Sequence, residues 1–299
     1  MESVVQCEHL TKKYGNRAVL DEISLDVPAG DVCAILGRNG AGKTTLLRLA
    51  LGLAFPNSGV VRVLGGAPGA HNDQVAFLSE NVAVYPHLTA VGNLQVVAGA
   101  CGLPSLRSDS LDDILQRVSL AGTGRKTVAS YSLGMKRRLQ LAMATMVRPH
   151  ALMILDEPTN GLDVEGMLWL RRFLSEERDK GTSILIASHA LSDMQEIITS
   201  YAILHEGRIV RREAWDPVVA GAVEVVVDPV DVSVAQRALV SGGGRIVASS
   251  AGSVTVAGIQ DLHAIYQALY NAGVVPRDVG AVRTSLEHIF LEVTGECVS

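Results

Sequence analysis

The chain has 299 residues, of which 48% are hydrophobic and 19% are charged; this composition can form one large or two smaller domains and excludes a largely disordered protein. The formal net charge is -5, so the overall basic surplus typical of nucleic-acid binders is missing and we expect no nucleic-acid partner. Cys7, Cys33, Cys101 and Cys297 form no Cys-x-x-Cys pair, which argues against a disulfide scaffold or a zinc site and indicates reduced thiols, as in the cytosol.

The mean hydropathy of +0.26 is high for a protein outside membranes. Apolar runs such as Val32–Leu36 and Ile184–Ala187 are nevertheless far shorter than the roughly 20 residues of a spanning helix. The N-terminal residues lack the basic and apolar regions of a signal peptide. Short apolar runs between polar turns instead predict strands buried on both faces, as in a parallel sheet covered by helices. We therefore expect an α/β fold without a membrane-spanning segment.

The first two thirds of the chain predict a sheet of several strands interrupted by helices. The stretches around Val4-Val5 and at Ile23–Val27 alternate apolar and polar residues, which predicts half-exposed strands, whereas Val32–Leu36 predicts a buried strand. Residues from about Asn81 to Pro149 are predicted to be mainly helical. The later predicted elements are a strand over Ala151–Leu155, a helix over about Glu165–Lys180, a strand over Thr182–Ala187 and a hairpin turning at Glu206-Gly207.

A second pattern begins near Ala220, and we predict two domains, residues 1–219 and 220–299. The later part reads strand, helix, strand, strand, helix, strand, which is the order of the ferredoxin-like split motif. Its predicted elements are Val223–Val227, Val232–Val240, Arg245–Ser249, Ser253–Ala257, Leu262–Asn271 and Val274–Val279, and a last helix covers Leu286–Thr294. We expect this small α+β domain to serve dimerisation or regulation.

A glycine-rich loop follows the buried strand and precedes a helix. Glycines at 37, 40 and 42 allow the backbone to turn its N–H groups around a phosphate, and the next helix presents its positive end to the same anion. Lys43 would reach the outer phosphates, and the Thr44 hydroxyl would bind Mg²⁺. We assign ATP binding here to Gly37, Arg38, Asn39, Gly40, Ala41, Gly42, Lys43, Thr44 and Thr45.

Two carboxylates follow the apolar run Leu152–Leu155. A strand there would place Asp156 and Glu157 at the carboxyl edge of the sheet, where open α/β sheets bind ligands. Asp156 would hold Mg²⁺, directly or through water, and Glu157 would orient or deprotonate the attacking water. By itself, such a pair could also be a solvated strand end.

Three further segments narrow the class of NTPase. Tyr131–Arg138 precedes the Asp-Glu strand, opens a helix and resembles the signature motif of ATP-binding cassette (ABC) ATPases. Asn160–Asp163 resembles their D-loop, and Ser188-His189 resembles their switch histidine. Tyr14 lies where these proteins stack an aromatic ring on adenine. The resemblance covers roughly residues 4–212, and the motifs come in the family's order.

The resemblance implies a P-loop NTPase fold, with a RecA-like core, an antiparallel β subdomain and an inserted helical subdomain at about residues 80–149. It also implies a homodimer in which two cassettes meet head to tail with ATP between them. Ser132 and the amide of Gly134 would contact the γ-phosphate bound to the opposing copy, and Asp163 would complete that site. His189 would contact the γ-phosphate within its own copy.

The chain departs from the usual ABC pattern at two places. Leu133 and Met135 replace the first of two central glycines and the following glutamine of the signature, and Glu80 stands where most of the family has glutamine. Glu80 could still bind Mg²⁺ or orient water. Both departures, and the segment 285–296, resemble export-type cassettes of bacitracin, lantibiotic and multidrug systems.

The resemblance further implies a separate membrane permease that docks near residues 80–94, which would place the chain in the cytoplasm on the inner face of the membrane. The cargo would be a drug, a peptide antibiotic or a lipid-like molecule. One alternative is a soluble ABC-type ATPase of translation or repair, although those usually carry two cassettes or a long coiled coil. Another is an ATPase regulated by a ligand of the C-terminal domain. Lys136-Arg137-Arg138 would form a solvated face or reach the neighbouring subunit.

Overall fold

A computed structural model describes residues 2–79, 83–103, 108–146, 150–189, 194–215, 218–259, 261–283 and 286–295. Contacts between Cα atoms divide the chain into two compact units, residues 1–215 with 293–299 and residues 216–292. The division falls slightly upstream of the boundary that the sequence predicts.

The first unit contains nine strands and five helices among its described elements. The strands are β1 (Ser3–Tyr14), β2 (Arg17–Pro28), β3 (Val32–Leu36), β4 (Ser58–Val63), β5 (Val75–Leu78), β6 (Leu152–Asp156), β7 (Ser183–Ser188), β8 (Ser200–His205) and β9 (Arg208–Ala214). The helices are α1 (Lys43–Ala50), α2 (Ala90–Ala100), α3 (Ser108–Arg117), α4 (Leu133–Ala144) and α5 (Val164–Asp179).

A six-stranded sheet forms the centre of the first unit, in the order β5-β6-β7-β3-β8-β9. The first five of these are parallel, and β9 pairs antiparallel with β8. Every residue of β3, β6 and β7 is buried, which confirms the sheet predicted from the short apolar runs. The predicted hairpin is also confirmed, since Glu206 and Gly207 both take positive φ angles, 48° and 77°, between β8 and β9.

A second, antiparallel sheet has the order β2-β1-β4. Its apolar residues, among them the fully buried Leu10, Leu20 and Ile23, belong to one hydrophobic cluster with residues of α1 and β3. Helix α1, which follows the glycine-rich loop, therefore packs against apolar residues of both sheets.

Helices α2, α3 and α4 lie in the chain between β5 and β6. The start of α2 is held by the buried Asn93, whose side chain accepts from the Tyr85 amide at 2.7 Å and donates to the Thr89 carbonyl at 2.9 Å. Thr89 also caps this helix by accepting from the Gly92 amide. None of the helices in the described ranges is long and apolar enough to cross a membrane.

The described elements that follow the first unit's strands are β10 (Val218–Val226), α6 (Val232–Ser241), β11 (Arg245–Ser249), β12 (Ser253–Ala257), α7 (Leu262–Asn271), β13 (Asp278–Arg283) and α8 (Leu286–Thr294). The antiparallel sheet has the order β11-β12-β10-β13, which is the split β-α-β arrangement. It has its own apolar cluster, centred on Val225, Leu239 and Leu269.

The last predicted strand of this unit, Val274–Val279, is wrong in its position, because β13 begins at Asp278. Gly273 takes a φ of 75° after α7, and the Val274 amide donates to the Leu269 carbonyl at 3.0 Å. Val274 therefore closes the end of the helix, with its side chain buried, instead of beginning a strand.

Candidate nucleotide site

The glycine-rich loop joins the end of β3 to the start of α1 in the geometry that the sequence predicts. Gly42 has a φ of 113°, and a Cβ there would lie 2.9 Å from the Val19 carbonyl oxygen and 2.7 Å from Leu20 Cδ2. Only glycine fits both the backbone angle and the space. The first amides of α1 consequently face the loop, which is the arrangement that binds anions at helix N-termini.

A cavity of about 380 Å³ opens at this loop. The residues that line it are Val19, Arg38, Asn39, Gly40, Gly42, Lys43, Thr44, Thr45, Glu157, Asn160 and His189. The cavity thus gathers the loop, the carboxylate after β6 and the histidine after β7 at the carboxyl ends of parallel strands, where ligands of α/β sheets bind. The sequence does not predict Val19 or Asn160 in this lining: Val19 is apolar, and Asn160 belongs to the D-loop-like segment, of which we expect only Asp163 to contact the nucleotide.

Lys43 lies at the base of the cavity and is only 6% exposed. Its Nζ donates to the Gly37 carbonyl at 2.6 Å and to the Arg38 carbonyl at 3.3 Å, and it lies 3.2 Å from Glu157 Oε1. The lysine therefore connects the glycine-rich loop directly to the carboxylate after β6.

Glu157 is buried and has a left-handed backbone, with a φ of 48°. Such a conformation in a residue other than glycine costs about 1–3 kcal/mol and is typical of functional sites. The Glu157 amide donates to the Ala187 carbonyl at 2.8 Å. Its Oε2 accepts from the His189 amide at 3.2 Å and lies 2.8 Å from His189 Nδ1. The carboxylate is thereby fixed between Lys43 and His189.

Thr44 and Asp156 line a neighbouring cavity of about 270 Å³, together with Ser79 at the end of β5. A hydroxyl and a carboxylate are oxygen donors of the kind that Mg²⁺ prefers, so the residues present fit that ion. The third predicted magnesium ligand, Glu80, lies outside the described residues.

Ser132 and Asp163 are both helix caps and, with Gly134, lie outside the lining of the 380 Å³ cavity. Ser132 Oγ accepts from the Met135 amide at 3.2 Å, and Asp163 Oδ1 accepts from the Gly166 amide at 2.8 Å. Gly134 is in the first turn of α4, so the signature segment offers a helix N-terminus. Tyr14, at the end of β1, is half exposed, with Lys12 Nζ 5.0 Å from its ring centre.

For Arg137, the expectation of a solvated or intersubunit position is wrong, because its side chain is only 4% exposed. It lies four residues before the fully buried Leu141 and so shares the inward face of α4. Its guanidinium donates to main-chain carbonyls at the end of β6, among them Pro158 at 3.2 Å. In the sequence, the apolar Leu141 one turn later on the same side of α4 is the signal that could have indicated a buried Arg137.

The fold and the cavity together define a P-loop nucleotide-binding protein. Residues 20–160 match the ABC transporter family. The chain is 42% identical over 215 residues to the bacitracin transport ATP-binding protein BcrA of Enterococcus faecalis, covering 70% of this chain and 69% of that protein. It is 30% identical over 312 residues to the daunorubicin resistance ATP-binding protein DrrA3 of Streptomyces coeruleorubidus, covering 99% and 97% of the two chains.

Among solved structures, the chain is similar to the ATP-binding subunit of an ABC transporter, with a TM-score of 0.63 and 28% identity over 72% of this chain and 91% of that one. The chain belongs to the ABC transporter family, and it is an ATP-hydrolysing transport subunit. The predictions of a P-loop cassette and of ATPase activity are thereby confirmed.

Proposed function

We propose that this chain powers the export of a drug, a peptide antibiotic or a lipid-like molecule through a separate membrane permease. The observation that carries the proposal is the convergence of Lys43, Glu157 and His189 on one cavity at the glycine-rich loop. The names of BcrA and DrrA3, which refer to bacitracin transport and daunorubicin resistance, support cargo of this kind.

Within the cavity, Glu157 is the residue that orients the attacking water or takes its proton. His189 holds the same carboxylate and also faces the place of the γ-phosphate. Lys43 lies 3.2 Å from Glu157, so an incoming phosphate must draw the ammonium away from the carboxylate. The phosphate of ATP therefore replaces Glu157 as the partner of Lys43, and the Glu157 carboxylate becomes available to the attacking water.

Magnesium would be held by Thr44 and Asp156, with Glu80 as a third ligand. The ion would neutralise negative charge on the phosphates. Arg38, Asn39, Gly40 and Thr45 surround the phosphates from the loop side, and Tyr14 would stack on adenine.

A second copy of the chain would complete the site. The start of α4, with Ser132 and Gly134, offers an anion-binding helix end outside the chain's own cavity lining, and Asp163 caps the start of α5. These groups would contact a nucleotide held by an opposing copy. ATP then joins the two copies, and hydrolysis separates them.

A membrane permease would bind near residues 80–94 and keep the chain on the cytoplasmic face of the membrane. Closure and opening of the dimer would drive the permease between its two orientations. The C-terminal unit would extend the dimer or regulate it.

The central test is Glu157→Gln, which keeps the size of the side chain and removes the base. We expect ATP to bind as before, hydrolysis to slow by at least about 10²–10⁴-fold, and an ATP-bound dimer to accumulate. Glu176→Gln, on the exposed face of α5, is the matched control and should retain the normal rate. A normal rate in Glu157→Gln would remove Glu157 from the mechanism.

Export is tested separately by purifying the chain with the membrane protein encoded beside it. We expect a complex whose ATPase rate responds to cargo. A soluble partner and no association with membranes would favour the role in translation or repair.

A further inference from the structure

The buried Arg137 lies near the start of α4 and the carboxyl ends of β5 and β6. It is the fifth residue after Ser132, the cap of α4, and its side chain extends towards the carboxyl ends of β5 and β6. Glu157, which follows β6, is the residue that the proposed reaction requires.

The guanidinium donates to a set of main-chain carbonyls. Nη2 donates to the carbonyls of Asp156, at 3.4 Å, and of Glu157, and Nε donates to that of Pro158 at 3.2 Å. Nη1 donates to the Ser79 carbonyl at 3.3 Å. One side chain thus holds three successive carbonyls that begin at the last residue of β6, and one carbonyl just after β5. A lysine has a single charged centre and cannot match this planar set of donors.

These bonds act on the left-handed residue of the site. The amide of Glu157 is tied to Ala187, and its carbonyl is tied to Arg137, so both peptide groups that flank its Cα are fixed. The backbone angles of Glu157 set the direction of its carboxylate towards Lys43 and His189. A shift of Arg137 would consequently turn the carboxylate.

We propose that Arg137 is a positioning residue for ATP hydrolysis and couples α4 to the direction of the Glu157 carboxylate. The inference rests on the proposed function, in which the start of α4 contacts the nucleotide of an opposing copy. A nucleotide bound at Ser132 then fixes the position of α4. Through Arg137, α4 fixes the direction of the Glu157 carboxylate in the same chain. Hydrolysis in one cavity is thereby made dependent on occupation of the other.

The test compares Arg137→Met, Arg137→Lys and the wild-type full chain. We expect Arg137→Met to lower kcat by up to about 10²-fold, the loss that a misplacement of about 1 Å can cause, with the Kd for ATP unchanged. Arg137→Lys should restore part of kcat, because it returns a charge but not the full set of bonds. Arg172→Met is the matched control; Arg172 is exposed on α5, outside the signature segment and the cavity lining, and its loss should leave kcat and its dependence on ATP concentration unchanged.

A double-mutant cycle with Glu157→Gln separates positioning from a general loss of structure. If Arg137 acts through Glu157, adding Arg137→Met to Glu157→Gln should produce no further loss of kcat. Equal losses in both backgrounds, or a Kd for ATP that worsens in step with kcat, would overturn the inference. Should Arg137→Met fail to fold, the same comparison is made with Arg137→Lys.

The outcomes also distinguish this inference from the proposed function. A normal rate in Glu157→Gln alone would contradict the proposed function. A slow Glu157→Gln together with a normal Arg137→Met would leave the proposed function intact and overturn the role of Arg137. We further expect the cooperativity of hydrolysis with ATP concentration to fall in Arg137→Met, and unchanged cooperativity would contradict the coupling.

Discussion

At the scale of single residues, an ion pair joins Lys43, which we propose to bind phosphate, to Glu157, which we propose to act on the attacking water. The two side chains are 6% and 7% exposed, and the atoms Nζ and Oε1 are 3.2 Å apart. Removing one partner of a buried charged pair leaves the other without compensation, which costs more than the pair itself contributes. The two residues are thus expected to respond differently to substitution, Lys43 in binding and Glu157 in rate.

Lys43→Met should weaken ATP binding, because a hydrogen bond to a charged group contributes about 1.5–3 kcal/mol. Titration with a fluorescent ATP analogue measures the change in Kd directly. Lys126→Met, at an exposed lysine in the connection between α3 and α4, serves as the control and should bind ATP normally. Normal affinity in Lys43→Met would show that this lysine does not hold phosphate.

The cysteines should differ sharply in reactivity. Burial raises the pKa of Cys7 and of Cys33 to about 12, so both remain protonated thiols near pH 8, whereas Cys101 is exposed. The thiolate is the reactive form. We expect iodoacetamide at pH 8 to modify Cys101 quickly and to modify Cys7 and Cys33 only after unfolding, as peptide mass spectrometry would show. Rapid modification of Cys33 in the folded chain would contradict the buried position of β3.

At the scale of elements, the signature helix and the loop before α5 fit together through Leu133 and Gly161. Leu133, in the first turn of α4, is 61% exposed, yet its side chain covers Gly161 so closely that a Cβ there would lie 2.2 Å from Leu133 Cδ2. Gly161 also has a φ of 77°. The leucine that departs from the usual signature is therefore accommodated by a glycine in the next loop.

Gly161→Ala should destabilise the first unit by about 1–2 kcal/mol through the left-handed backbone, because the exposed Leu133 side chain can move away from the new methyl group. Urea unfolding followed by tryptophan fluorescence is suitable, because both tryptophans, Trp169 and Trp215, belong to this unit. Adding Leu133→Ala should therefore recover little of the lost stability. Full recovery in the double variant would show that the contact with Leu133, and not the backbone angle, causes the loss.

At the scale of the whole molecule, the two units have separate apolar clusters. The second cluster contains only residues between Val223 and Val279, while the residues that line the nucleotide cavity all lie between Val19 and His189. Stability of the second unit and affinity for ATP should accordingly vary independently.

Leu239→Ala tests this independence, since Leu239 is fully buried in the second cluster. The substitution should lower the stability of that unit by about 2–5 kcal/mol, seen as faster hydrogen exchange in α6 and β12, with the Kd for ATP unchanged. The control Leu262→Ala removes a half-exposed leucine of α7 and should have little effect on either quantity. A large change in ATP affinity would mean that the units are energetically coupled.

The fold of the first unit could be predicted to a large extent, because its strands and its glycine-rich loop are each encoded by a continuous stretch of sequence. Strands β3, β6 and β7 are continuous apolar runs, and the glycine-rich loop is a continuous motif between a strand and a helix. Parallel strands that end in polar residues bring those residues to one edge whatever the details of packing. The assignment of Lys43 and Glu157 to one site followed from that rule, and the cavity contains both.

The sequence by itself determined the class of protein, because each motif that defines the class is one continuous stretch of residues and the chemistry of that stretch can be recognised locally. Only the tertiary structure decided which groups meet: that Glu157 is held by Lys43 and His189, that Val274 ends α7, and that Arg137 is buried. These depend on side chains that approach from distant parts of the chain, as Arg137 approaches Ser79, 58 residues away. A local pattern records the periodicity of an element, but the partner of a buried charge is set by the packing of elements that the pattern does not contain.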